Sequence, residues 1–126
     1  MTHDEFVGQV QHRAHLGSRG DAEAIIRATF ETLGERLMKD AAENVAAQLP
    51  PELGLHLRSA ERFEHITLHD FYERIAVREH KDYEKAVFYT QAVLDTLREA
   101  ISPGAVKKLE KQLPPEFREL LLHAVA

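Results

Sequence analysis

Cysteine is absent from this 126-residue chain, which rules out disulfides, thiolate zinc sites, iron–sulfur clusters and cysteine nucleophiles. Positive charge is not in excess: 16 Lys plus Arg against 21 Asp plus Glu leave a formal net charge of -5. A chain so charged has no general attraction to phosphate backbones or anionic lipid. No apolar run reaches the roughly 20 residues that a membrane-spanning helix requires. Asp4 and Glu5 stand where a signal peptide would be apolar, so the sequence reads as a soluble, cytoplasmic protein. A glycine-rich phosphate loop is lacking, because Gly17 and Gly20 fall in a loop between helices with no strand before them. There is no His-Glu-x-x-His or Glu-x-x-His pair, which leaves zincin and di-iron patterns unsupported. Sustained period-two alternation is missing as well, so strands are not expected.

What the chain does contain is a repeat. Gln48-Leu49-Pro50-Pro51-Glu52-Leu53 returns as Gln112-Leu113-Pro114-Pro115-Glu116-Phe117, an offset of 64. At that offset Ala22, Ala28, Thr32, Leu33, Glu35 and Ala41 match Ala86, Ala92, Thr96, Leu97, Glu99 and Ala105. Upstream the offset is 65, pairing Thr2, Phe6, Val10 and Arg13 with Thr67, Phe71, Ile75 and Arg78. One residue has been lost between Arg78 and Ala86, where a loop tolerates it. The chain divides into repeat one, 2–57, a linker, 58–66, and repeat two, 67–121.

Each repeat reads as four helices. Ala22, Ile25, Ile26, Thr29, Phe30, Leu33 and Leu37 form one broad apolar stripe, echoed by Ala86, Tyr89, Thr90, Val93, Leu94, Leu97 and Ile101. Thr2-x-x-Glu5 and Thr67-x-x-Asp70 have the spacing of capping boxes. Ser18 and Asp82 stand as N-caps of the long helices, and Ser102 before Pro103 caps a third. Each Pro-Pro pair stops one helix and lets its second proline begin the next, over 51–58 and 115–124. A module this small buries only a modest share of its surface. The expected fold is therefore all-α, with residues 1–126 as a single domain. Its eight helices form two four-helix repeats sharing one core in a pseudo-two-fold globule. Phe63 and Ile66 are expected to dock the linker.

The same residues resemble a bacterial family known as domain of unknown function 2267. The resemblance rests on Asp70-Phe71-Tyr72-Glu73-Arg74-Ile75, on Ala86, Val93, Leu94 and Leu97, then on Ser102-Pro103-Gly104 and Gln112-Leu113-Pro114. It covers nearly the whole chain in two copies, the first departing where Met38-Lys39-Asp40 replaces Ser-Pro-Gly. It implies an all-helical cytoplasmic protein and carries over no catalytic residue, cofactor or ligand.

Candidate sites come from the residues themselves. His12-x2-His15 could put two imidazoles on one helical face, but Leu16-Gly17-Ser18 ends the helix there, which favours solvated side chains. Glu61, His65 and His69 share i, i+4, i+8 spacing, a metal-binding face only if one helix runs unbroken through Thr67, itself a candidate cap. Eight histidines could titrate together, although independent surface groups are the simpler reading. The outer faces of the long helices, Arg27, Glu31, Glu35 and Gln91, Asp95, Glu99, read as solvated. The helix pair over 105–124 has the outline of a helix-turn-helix with Lys107, Lys108 and Lys111, yet Arg118 there faces Glu116 and Glu119. Tyr83, Phe88 and Tyr89 form the densest aromatic cluster; if exposed, Phe88 is the natural anchor of a partner surface, the alternative being core packing.

These features point to a non-catalytic interaction protein, working through homo-oligomerisation or a protein partner, with no cofactor. A nucleic-acid-binding regulator using the 105–124 pair is the alternative. A metal-dependent sensor or enzyme using His12, His15, His65 and His69 is a third.

Overall fold

Thr2 and Thr67 each open a helix with a reciprocal capping box, the hydroxyl accepting from the backbone N–H of Glu5 or Asp70 while that carboxylate accepts in return. The computed structural model describes residues 1–122, with Leu122 described only as part of its helix. These residues form eight helices and no strand: α1 (His3–Arg13), α2 (Arg19–Arg36), α3 (Lys39–Ala46), α4 (Pro51–Arg58), α5 (Leu68–Glu79), α6 (Tyr83–Ala100), α7 (Pro103–Gln112) and α8 (Pro115–Leu122). Residues 123 and 124, expected to continue α8, lie outside the described residues. Ser18, Asp82 and Ser102 cap α2, α6 and α7 through their side chains. Met38 gives α3 no such bond, yet α3 starts at the position equivalent to the start of α7. No helix among the described residues is long and apolar enough to cross a membrane.

Apolar stripes decide what touches what. The two long helices α2 and α6 touch, α1 lies against both, and α5 lies against both. Phe6 meets Phe30 at 5.7 Å between ring centroids, and Phe71 meets Phe117 at 5.4 Å. The helix α4 packs on α2 and α3, α8 on α6 and α7, and α3 on α7. A continuous cluster of buried apolar side chains takes members from all eight helices and from Ile66 of the linker.

The polar residues shared by the two repeats bind the repeats to each other. Arg13 of α1 donates to the Thr96 hydroxyl of α6 at 2.9 Å and to Glu99 at 2.7 Å. Its equivalent Arg78 of α5 donates to Thr32 of α2 at 2.6 Å and to Glu35 at 2.7 Å. Each threonine passes its own hydroxyl proton one turn back along its helix, Thr32 to the Ala28 carbonyl and Thr96 to that of Ala92. Glu35 is thus not the solvated face that periodicity suggests, because α5 reaches over it, whereas Glu99 is exposed as expected although Arg13 binds its carboxylate. Gln91 is likewise engaged, donating to the Leu120 carbonyl at 2.9 Å.

Thr29 and Thr90 are as deeply buried, but their hydroxyls have no partner among the described residues. Removing an unpaired buried hydroxyl while keeping its shape relieves a desolvation cost. Thr29→Val and Thr90→Val are therefore expected to raise stability by about 1 kcal/mol each, and Thr32→Val and Thr96→Val to lower it by about 1–3 kcal/mol, in urea unfolding.

A second contrast appears where the short helices meet their neighbours. Gly34 of α2 lies so close to α4 that an added Cβ would stand 2.5 Å from the Leu57 carbonyl oxygen. Repeat two has Arg98 at that position, and its guanidinium donates to the equivalent carbonyl, Leu121, at 2.7 Å. Gly54 of α4 approaches the Ala46 carbonyl in the same way, with an added Cβ at 2.9 Å. Its counterpart Arg118 donates to the equivalent carbonyl of Glu110 at 3.1 Å. One repeat closes these helix contacts by omitting side chains, the other by reaching across with arginine.

The linker is fastened down. The Glu64 N–H donates to the Glu35 carbonyl at 2.8 Å, and Arg74 bridges the Glu64 and Glu35 carboxylates. Phe63 and Phe117 each place a ring 5.3 Å from the buried guanidinium of Arg36, a cation–π sandwich joining linker, α2 and α8.

Candidate functional site

Of the three aromatic residues expected to form an interaction surface, two touch. Phe88 is 47% exposed, packs against Tyr89 at 5.8 Å and stacks on His15 of repeat one at 6.2 Å. Tyr83 lies on another face of α6, against Tyr72 at 5.7 Å, with its hydroxyl 3.2 Å from Nδ1 of His69. Tyr72 is held under that cluster, and burial pushes its phenol up to about 12.

The histidines are dispersed by local backbone geometry. α1 ends at Arg13, and His15 sits beyond it in the left-handed region, φ 54°, so His12 and His15 do not share a helical face. Thr67 begins α5, leaving Glu61 and His65 in the linker and only His69 on the helix. His65 packs on Phe63, and His69 pairs with Glu73 at 2.9 Å. Among the described residues no three His, Asp or Glu converge on a common point. His80, equivalent to His15, is also left-handed at φ 53° and ends α5. Only glycine adopts that conformation without penalty. His80→Gly is expected to raise stability by about 0.5–1 kcal/mol, and His15→Gly by less, since it also gives up the Phe88 stack. Thermal unfolding of the two variants checks the order.

His56 of α4 is partly buried, which lowers its pKa below the ordinary 6.5 and favours the neutral ring in the fold. The unfolded chain then binds more protons, so this group's penalty is absent above pH 6.5 and grows as pH falls below it. Stability is expected to decline as pH falls below 6.5, and His56→Gln to flatten that decline. The side chains facing it include Glu31, which favours protonation, and Arg27 and His3, which oppose it.

The α7–α8 pair carries its lysines outward. Lys107, Lys108 and Lys111 are exposed and form no ion pair among the described residues. α8 is committed to packing: Glu116 accepts from the Leu68 N–H at the start of α5, and Arg118 holds the Glu110 carbonyl.

One cavity was not anticipated from the sequence. Where α3 meets α7 a cleft of about 620 Å³ opens. Ala41 and Ala105, Val45 and Leu109, and Gln48 and Gln112 line it as pairs at the offset of 64, and every other lining residue has its equivalent on the opposite wall. The Ser102 N–H donates to Gln48 Oε1 at 2.7 Å, joining the start of α7 to the end of α3, so the two helices run antiparallel along the cleft. The walls differ in charge, with Asp40 and Asn44 on α3 against Gly104 and Lys108 on α7. The short-helix stripe Ala41, Val45, Leu49 and its echo signal only that α3 and α7 pack together; those side chains are buried, and the open space is bounded chiefly by exposed polar side chains such as Asn44, Gln48, Lys108 and Gln112.

No curated protein matched the chain. A family model described as "Uncharacterized conserved protein (DUF2267)" matches residues 3–120. With this all-helical chain covered almost from end to end, the protein belongs to the DUF2267 family.

Proposed function

We propose that this chain is a non-catalytic, cytoplasmic interaction protein built as a pseudo-two-fold tandem duplication of one four-helix unit. It acts through homo-oligomerisation or a protein partner. Duplication is supported by the mirrored contacts of Arg13 with Thr96 and Glu99 and of Arg78 with Thr32 and Glu35. The observation that carries the interaction reading is Phe88, a large ring left 47% exposed beside half-buried Tyr89. Aromatic side chains of this kind dominate interface energetics when a partner covers them. Size-exclusion chromatography with light scattering, from micromolar to millimolar protein, tests self-association, and pull-down with mass spectrometry tests a partner. Loss of the captured species in Phe88→Ser supports the reading. A strict monomer that captures nothing specific overturns it.

A nucleic-acid-binding regulator is the second reading, favoured by the three exposed lysines of α7. Binding to mixed-sequence duplex that weakens steeply with salt is its signature.

A further inference from the structure

We propose that Phe88 docks on the His80–Ala24 corner of a second copy of this chain, linking molecules head to tail. This rests on the interaction reading and names the partner at its site. The Phe88 ring stacks one face on His15, with 6.2 Å between centroids and 17° between planes, and stays 47% exposed. His80 is the equivalent of His15 in the other repeat and holds the same left-handed backbone, φ 53° against 54°. The equivalent of Phe88, however, is Ala24, so that corner has the histidine without the aromatic ring. Ala24 and His80 are both exposed, and His80 has no ring contact or ion pair among the described residues. Each molecule therefore carries one half-exposed ring and one bare corner of the same design. Docking the free face of Phe88 on His80 of the next copy repeats between molecules a stack that α1 and α6 already make within one.

Charge favours the same match. Lys85 stands one turn before Phe88, and its equivalent, Asp21, stands one turn before Ala24, so one position carries opposite signs in the two repeats. Both are exposed, and neither has an ion-pair partner among the described residues. Glu79, beside His80, adds a second carboxylate to the corner. Burial and then Asp21 push its carboxyl above the ordinary range, with Lys81 and His80 opposing. Docking the ring thus brings the Lys85 ammonium toward two carboxylates, and Glu84 toward Lys81. A second copy carries both halves of this match. The contact is one ring and its charged rim, well below the about 800 Å² per partner of stable interfaces. Its Kd is therefore expected to be of the order of 0.1–1 mM.

The test follows the mass of the full chain by sedimentation and light scattering from micromolar to millimolar protein. The parent's mass should rise with concentration. Phe88→Glu removes the ring, and Ala24→Glu sets a carboxylate where the ring face would lie. Each should weaken association by roughly tenfold or more and melt near the parent temperature, since both positions are exposed on helices. Mixed in equal amounts, the two variants should form a one-to-one heterodimer and nothing larger, because one usable ring and one usable corner remain between them. Lys85→Glu should weaken the parent's association by about two- to fivefold. Association of Ala24→Glu as strong as the parent's, or failure of the two variants to pair when mixed, overturns the proposal. Capture of a different protein through Phe88 by a parent that stays monomeric at millimolar concentration also overturns it, while the interaction reading stands.

Discussion

Gly34→Ala is expected to lower stability by about 2–3 kcal/mol, although it replaces glycine with the best helix former inside an 18-residue helix. On an open helix face this change stabilises by about 0.5–1 kcal/mol. At Gly34 the new methyl would lie 2.5 Å from the Leu57 carbonyl oxygen and 3.2 Å from its carbon. Both are backbone atoms, so relief requires shifting α4 as a body, together with its contacts on α2 and α3. Gly8 of α1 is the internal control, since an added Cβ there meets nothing within 4 Å. Gly8→Ala should stabilise by about 0.5–1 kcal/mol. Urea unfolding of the pair gives changes of opposite sign; equal signs would mean that α4 yields freely and that the close approach is not a constraint.

Removing both inter-repeat clamps, Arg13→Ala/Arg78→Ala, is expected to lower stability by about 3 kcal/mol, with Arg78 the larger share. A hydrogen bond to a charged group contributes about 1.5–3 kcal/mol, reduced where solvent screens it. Glu35, with a side chain 19% exposed, is screened less than Glu99 at 47%. Glu35 also pairs with Arg74, so the Arg78 clamp belongs to a network that includes linker Glu64. Arg74 holds the Glu64 carboxyl below its usual range. The linked stabilisation is present above pH 4.5 and is lost as pH falls through the lowered value. A double-mutant cycle between Arg78 and Glu35 should return a coupling of about 1 kcal/mol.

Helix starts were legible because their causes are local. Thr2, Ser18, Thr67, Asp82 and Ser102 each satisfy an N–H three residues on, and no tertiary information is needed to read that. The capping role of Thr67 also dissolved the apparent metal face of Glu61, His65 and His69. Repeat spacing announced that Arg13, Thr32 and Glu35 matter twice, but not that Arg13 serves the second copy and Arg78 the first. That pairing joins residues 83 and 46 apart in sequence, and a helical period contains nothing about it. Glu35 was misread for the same reason: an outer face of one repeat is an inner face once the other is present. The cleft stayed hidden because it belongs to neither α3 nor α7 alone. Gly34 and Gly54 were visible only as mismatches with Arg98 and Arg118, and only the folded chain shows each pair directed at equivalent carbonyls, Leu57 with Leu121 and Ala46 with Glu110.

The crosswise arrangement of the arginine clamps bears on how the molecule can assemble. Every bond from Arg13 or Arg78 leaves its own half, so none of them requires both halves to belong to one polypeptide. Shortening residues 58–66 until the chain cannot fold back on itself leaves all those bonds available between two molecules that trade halves. An intertwined dimer would then conserve the contacts between α1 and α6 and between α5 and α2, giving up those that the linker makes through Phe63 and Glu64.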